Sequence, residues 1–144
     1  MTKSDQAAEL FPGCFNCAQT VLSVFCETYG MPKETAVRLA CGLGSGVRSG
    51  EVCGAVSGAV LVIGLKHGPT EPGDADAKRF CYEKTTEFID IFKQEHGSVI
   101  CRELLGCDIS TEAGYQHAVD GNLFNTTCAD LVKSAAGILE RLGY

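Results

Sequence analysis

The sequence predicts an all-α fold, a compact helical bundle of about six or seven helices with a glycine-rich central helix. Apolar residues recur at the 3.6-residue spacing that places them on one face of a helix. Glycine, proline and polar capping residues separate these periodic segments. With 144 residues, of which 45% are hydrophobic and 21% charged, the chain has the size and composition of one globular domain, residues 1–144.

Two helices are predicted in the N-terminal third of the chain. Residues 16–29 place Ala18, Leu22 and Phe25 on one face. Residues 33–43 follow a proline, which favours a helix start. The sequence GLGSGVRSG comes next, and it lacks the lysine and the preceding strand of a phosphate-binding loop. Its glycines therefore predict a tight, mobile turn.

The segment 51–67 is the most apolar part of the chain. Its many valines are compatible with a buried strand, but its length and the spacing of Gly54 and Gly58 favour a helix packed closely on a neighbour. The apolar stretch 52–65 is shorter than the roughly 20 residues that a membrane span requires. We therefore expect a buried helix.

Four further helices are predicted in the C-terminal half. In the longest of these, residues 75–95, an amphipathic pattern turns Phe80, Phe88 and Phe92 inward. Each of the other three is preceded by a residue that favours an N-cap. These three helices are predicted at residues 98–105, 111–119 and 126–142.

The charge distribution limits the classes of partner. The net charge is −6 and no cluster of lysine or arginine is present, which argues against binding to nucleic acid or to an anionic membrane surface. Residues 1–10 have one basic residue, no apolar core and no cleavage pattern, so no export signal is predicted. We expect a cytoplasmic protein without a membrane span.

Nine cysteines are the most informative feature of the composition. In the cytoplasm thiols stay mostly reduced, and an odd number of cysteines does not suit a framework of disulfides. Reduced thiols are available as metal ligands or as redox groups. The composition therefore favours redox or metal chemistry.

Four of the cysteines lie near the predicted starts of helices: Cys17, Cys53, Cys101 and Cys128. The last three each follow an expected N-cap by three residues, namely Gly50, Ser98 and Asn125. Free backbone N–H groups and the helix dipole in a first turn stabilise a thiolate, which lowers its pKa. Because the thiolate is the reactive and metal-binding form, these four are the main candidates for a redox or metal site.

Two further cysteines are additional candidates. Cys14 forms a C-x-x-C pair with Cys17, a spacing found in redox dithiols and zinc sites. Cys107 follows Cys101 within CRELLGC, so these two either meet across a short helix or flank it. No second C-x-x-C or histidine pair is present to complete a typical zinc motif.

The remaining cysteines and the histidines are expected to be structural. Cys26, Cys41 and Cys81 lie in the middle or near the end of predicted helices, where a buried thiol acts as a small apolar group. Histidines near helix ends more often cap carbonyls or face solvent than bind metal. The three histidines in such positions are His67, His96 and His117.

Four stretches of the chain carry a resemblance to a known family: NCAQTVL, GEVCGAVSGAVLVIGLKHG, FKQEHGSVICRELLG and TCADLVKSAAGILE. They resemble the redox-active proteins named for their C_GCAxxG_C_C pattern, and the resemblance spans nearly the whole chain. It implies that the motif cysteines are Cys17, Cys53, Cys101 and Cys128, the same four that lie at predicted helix starts. Cys14, Cys26, Cys41 and Cys81 have no counterpart in the pattern, and Cys107 is not assigned to it.

The family is also similar to part of the split-Soret cytochromes, where the corresponding region is associated with an iron–sulfur centre. This similarity implies an iron–sulfur cluster here. A c-type haem is not implied, because the chain has no C-x-x-C-H attachment motif.

We therefore expect a bundle that gathers Cys17, Cys53, Cys101 and Cys128 at one end, where they bind a two-iron, two-sulfide cluster for electron transfer. Two alternatives stay open: a metal-free thiol/disulfide oxidoreductase, and a structural zinc site with four cysteine ligands. The sequence indicates neither the electron-transfer partner nor whether the protein is an enzyme. The small-residue helix 51–67 suggests a homodimer.

Overall fold

The computed structural model describes residues 1–144 and contains eight α-helices and no strand. The all-α prediction is confirmed, but the predicted number of helices was too low. Short turns continue two of the helices at Cys26–Tyr29 and Cys41–Leu43. In chain order the helices are α1 (Lys3–Leu10), α2 (Cys17–Phe25), α3 (Lys33–Ala40), α4 (Gly54–His67), α5 (Ala75–His96), α6 (Cys101–Leu105), α7 (Glu112–Asp120) and α8 (Thr127–Arg141).

The unexpected helix is α1. Thr2 caps its first turn in a capping box with Asp5, which satisfies backbone groups at both residues. The helix packs on α8, where the Ser4 hydroxyl donates to the carbonyl of Lys133 at 3.0 Å. Only Ala7 is buried, so α1 shows no apolar periodicity that would have predicted it.

The predicted helices are present with shifted ends. The segment 51–67 is helical from Gly54, as expected from its length. The helix α2 ends at Phe25 and continues as a tighter turn. One inward assignment was wrong: Phe80 is 44% exposed and packs edge-on against His67, with ring centroids 5.0 Å apart.

The core lies between α2, α4, α5 and α8. Phe88 and Phe92 of α5 are fully buried in it. The helices α2 and α4 approach closely because Gly58 faces the backbone of Ala18: a Cβ atom at Gly58 would lie 2.8 Å from the carbonyl oxygen of Ala18. None of the eight helices combines the length and the apolar character that crossing a membrane requires.

Candidate functional site

One cavity brings together the four cysteines at the predicted helix starts. It has a volume of about 80 Å³ and a mostly apolar lining. Leu104, Leu105, Ile109 and Leu131 are among its apolar walls. The cysteines that line it come from four different parts of the fold: Cys17, Cys53, Cys101 and Cys128.

Each of these cysteines lies at a helix start, although the predicted N-caps were wrong. Cys17 is the first residue of α2 and Cys101 the first residue of α6, while Cys128 is the second residue of α8. Cys53 is itself the N-cap of α4. The N-caps of α4, α6 and α8 are therefore not Gly50, Ser98 and Asn125 but Cys53, Ile100 and Thr126.

Asn16 fixes the start of α2 next to the cavity. Its side-chain oxygen accepts from the backbone N–H of Gln19, and the side chain of Gln19 accepts from the N–H of Asn16. The Asn16 amide also donates to the carbonyl of Cys41 at 2.9 Å. This capping box orients the first turn of α2, which carries Cys17.

A short antiparallel bridge joins the segments that carry Cys53 and Cys101. The N–H of Cys53 donates to the carbonyl of Val99 at 2.8 Å, and the N–H of Cys101 donates to that of Glu51 at 2.6 Å. These bonds flank the isolated bridge between Val52 and Ile100. These backbone hydrogen bonds therefore fix the position of Cys53 relative to Cys101.

Gly54 completes the approach of α4 to α2. A Cβ atom at this position would lie 3.1 Å from both the Cβ of Cys17 and the backbone N of Ala18. A larger residue would press against the start of α2. The glycine therefore lets Cys53, its neighbour in the chain, lie close to Cys17.

The glycine-rich sequence between α3 and α4 forms a left-handed turn over the cavity. Ser45, Gly46, Val47 and Arg48 all have φ between 56° and 62°. This conformation costs about 1–2 kcal/mol for each residue that has a side chain. Ser45 and Gly46 line the cavity, and a Cβ at Gly46 would lie 2.9 Å from the Cβ of Cys101. The turn thus adds a wall to the site.

The pKa values of the thiols differ from the sequence-based expectation. Burial raises the pKa of Cys53 to about 11 and that of Cys101 to about 12. Backbone N–H groups of Ala55 and Val56 donate to the sulfur of Cys53 and partly offset its burial. The predicted lowering by the helix start was therefore wrong for these two residues, because desolvation outweighs the dipole.

Cys17 and Cys128 form a polarised pair. The interaction with the Cys128 thiol raises the pKa of Cys17, an effect that burial reinforces. The same interaction lowers the pKa of Cys128 despite its own burial. The helix-start prediction thus failed for Cys17 as well, and Cys128 is the only one of the four cavity thiols whose pKa is lowered.

The four cavity thiols could bind a metal centre, but they are not arranged to coordinate a single metal ion. No three His, Cys, Asp or Glu side chains have the geometry to hold a single metal ion. Four thiols around one apolar cavity nevertheless supply the complete all-cysteine set of an iron–sulfur cluster.

The additional candidates lie outside the cavity. Cys107 is half-buried, and its pKa is raised by burial first and then by the charge of Cys128, so it lies near the site without lining it. Cys14 is exposed and lines a neighbouring groove. Neither forms a disulfide, and none of the nine cysteines is paired.

The cysteines expected to be structural differ in burial. Cys26 is fully buried and donates to the carbonyl of Ser23 at 3.4 Å. Cys81 is half-buried, but Cys41 is exposed, so its assignment as a buried thiol was wrong. The turn that follows α3 places Cys41 at the surface. None of the three lines the cavity.

The histidines lie outside the cavity as well. His67 packs between the rings of Phe80 and Tyr144. The Nε2 atom of His96 is 2.7 Å from the Ser134 hydroxyl. His117 is exposed on α7.

Sequence patterns did not single out several residues that build the site. Phe11 and Phe124 line the cavity although they belong to no predicted helix face. Ser45 contributes through a backbone conformation that glycine usually adopts. Asn16 had a visible signal, since Asn three residues before Gln is a capping-box pattern.

The fold and site define a small all-helical protein in which four cysteines at helix starts surround one apolar cavity. Residues 15–142 match a family described as "Putative redox-active protein (C_GCAxxG_C_C)". Because this match covers nearly the whole chain, the chain belongs to the C_GCAxxG_C_C family. No curated protein and no solved structure matches it.

Proposed function

We propose that this protein transfers electrons through a two-iron, two-sulfide cluster bound by Cys17, Cys53, Cys101 and Cys128. The observation that carries the proposal is the single cavity lined by these four thiols. All-cysteine ligation by four thiolates is the usual binding mode of such clusters. The nine unpaired thiols suit a reducing compartment, so we place the protein in the cytoplasm.

The chain's own groups would prepare the site in two ways. The apolar walls, including Leu105 and Ile109, exclude water from the sulfurs. The N–H groups of Ala55 and Val56, in the first turn of α4, favour the thiolate of Cys53. Polar groups near the sulfurs and burial of the centre are two of the factors by which a protein adjusts the potential of such a cluster.

Metal analysis of cysteine variants tests this proposal. We expect Cys128→Ala to lose most of its iron and acid-labile sulfide after anaerobic purification. The matched control is Cys26→Ala, since Cys26 is also a buried cysteine but lies outside the cavity, and this variant should retain both iron and sulfide. Equal iron contents in the two variants would contradict the proposal, as would wild-type protein that contains zinc alone.

A second candidate is metal-free thiol/disulfide chemistry between Cys17 and Cys128. The polarised contact between the two thiols favours it, because an acidic thiol beside a second thiol is the arrangement of a redox dithiol. Mild oxidation of metal-free protein should then give a disulfide between these residues, identified by peptide mass mapping. A mixture of pairings among all nine cysteines would count against this candidate.

We also propose a homodimer formed through an apolar groove on α2, α3 and α4. Leu22, Met31, Val60 and Leu65 line it, and Leu39 at its edge is 56% exposed. Light scattering should give about twice the chain mass of 15.3 kDa. Leu39→Glu should give monomers, and the control Val119→Glu, which changes an apolar residue exposed elsewhere, should not. A wild-type monomer at high concentration would rule the dimer out.

A further inference from the structure

An open groove lies directly beside the thiol cavity. Its volume is about 450 Å³, which falls in the size range of small-molecule sites. Phe11, Asn16 and Phe124 line both the groove and the cavity. Side chains that the two spaces share would therefore lie between a molecule in the groove and the cysteines of the cavity.

The groove is lined by aromatic rings. Phe11, Phe15, Tyr115 and Phe124 all contribute to it. The rings of Tyr115 and Phe124 are 5.3 Å apart between centroids, and Tyr115 is 51% exposed. Exposed aromatic faces bind other planar rings by stacking or edge contacts. The lining therefore suits a flat aromatic ligand.

The groove is also uncharged. None of its nine lining residues is acidic, basic or histidine. The protein carries a net charge of −6, so a carrier with phosphate groups would find no cation to balance them. The exposed Asn125 amide uses one N–H on Asn122 and has another to donate to a carbonyl oxygen. These features select a neutral, planar ligand with carbonyl groups.

We propose that this groove binds a neutral electron carrier of the quinone class, which exchanges electrons with the adjacent thiol site. This inference rests on the proposed redox function and names the chemical class of its partner. Reduction of a quinone to a hydroquinone takes two electrons and two protons. In metal-free protein two cavity thiols supply the electrons when they join: two S–H bonds break, one S–S bond forms and two protons pass to water, while the quinone oxygens take up two protons from water. A thiolate-bound metal centre would supply the electrons singly, with protons from water.

Duroquinone, tetramethyl-1,4-benzoquinone, is a suitable probe because its ring has no free carbon for the exposed thiol of Cys14 to add to. Equilibrium dialysis with the full chain should show saturable binding. Loss of one stacking ring in Tyr115→Ala should weaken binding about tenfold, and Tyr115→Phe should restore it. The control is Tyr82→Ala, which removes an aromatic ring that is 63% exposed outside the groove and should leave binding unchanged.

Electron transfer is measured on the same samples. Protein reduced with dithionite, and then freed of it, should convert duroquinone to the hydroquinone, and more slowly in Tyr115→Ala at subsaturating quinone. No saturable binding, equal binding by Tyr115→Ala, or tighter binding of flavin mononucleotide would overturn the groove proposal. Binding without hydroquinone formation would overturn the carrier role.

Iron and sulfide analysis separates this proposal from the proposed function. Protein that contains iron and sulfide but does not bind duroquinone would refute only the proposal that the groove binds a quinone. Protein that binds duroquinone but contains no iron after anaerobic purification would refute only the proposed iron–sulfur cluster.

Discussion

Two regions of this molecule are built in different ways. Around Phe88 and Phe92 the fold consists of regular helices packed through buried side chains. Around the cysteines it consists of helix starts, an isolated bridge and a left-handed turn. The helical core follows from side-chain patterns, whereas the site depends on backbone conformation. Changes in the two regions should therefore have different consequences.

The largest effect is expected from a change in the helical core. Phe88 is fully buried, so Phe88→Ala should lower the free energy of unfolding by about 3–5 kcal/mol, because it leaves a cavity. Urea unfolding followed by circular dichroism measures this. The control Phe80→Ala changes a phenylalanine of the same helix that is 44% exposed, and it should cost much less. Equal losses of unfolding free energy in the two variants would contradict the burial of Phe88 in the core.

The stability of metal-free protein should fall at high pH because of the site. In the unfolded chain thiols ionise near pH 8.5, but in the fold the pKa values of Cys53 and Cys101 are raised to about 11 and about 12. Between these limits the folded state holds protons that the unfolded state has lost, so stability decreases as pH rises. Each thiol contributes a slope of about 1.4 kcal/mol per pH unit.

Cys53→Ala should make this slope smaller. Urea unfolding of reduced, metal-free protein between pH 8 and pH 10.5, about the range given by these pKa values, provides the comparison with wild type. The Cys41→Ala variant, which lacks an exposed thiol, serves as the control and should keep the wild-type slope. A stability that does not change over this range would contradict the burial of the two thiols.

A substitution in the left-handed turn should lower the free energy of unfolding less than the core substitution does, but it should reduce the iron content. Gly46 has φ of 62°, and a Cβ there would press on Glu51 and Cys101. Gly46→Ala should cost about 1–3 kcal/mol through crowding and should reduce iron content while the helices persist. Gly42→Ala is the matched control, because a Cβ at Gly42 would meet no atom within 4 Å. If both variants lost iron, the conformation of the turn at Gly46 would not be what iron binding requires.

The sequence predicted the helical core better than the site for a physical reason. Phe88 and Phe92 follow a helical period that is visible in one sequence, and so the direction of their side chains could be inferred. The left-handed conformation of Val47 and Arg48 has no such signal, since residues with side chains rarely adopt it. The helix α1 was missed because a capping box and one buried alanine hold it, with no apolar stripe.

The candidate cysteines could be selected from position and family resemblance, but their ionisation could not. Helix starts alone suggest acidic thiols. The structure adds the apolar walls that raise the pKa of Cys53 and Cys101, and the contact by which Cys17 lowers the pKa of Cys128. Both effects depend on residues distant in the sequence, which single-sequence patterns do not relate to one another.

Binding of a two-iron, two-sulfide cluster by the four cavity thiols can be tested by electron paramagnetic resonance of anaerobically purified protein, combined with iron and sulfide analysis. We expect about two irons and two sulfides per chain, a brown protein that bleaches on reduction, and a paramagnetic signal only in the reduced state. Anaerobic protein that is colourless, contains zinc or no metal, and gives no signal after reduction would contradict it.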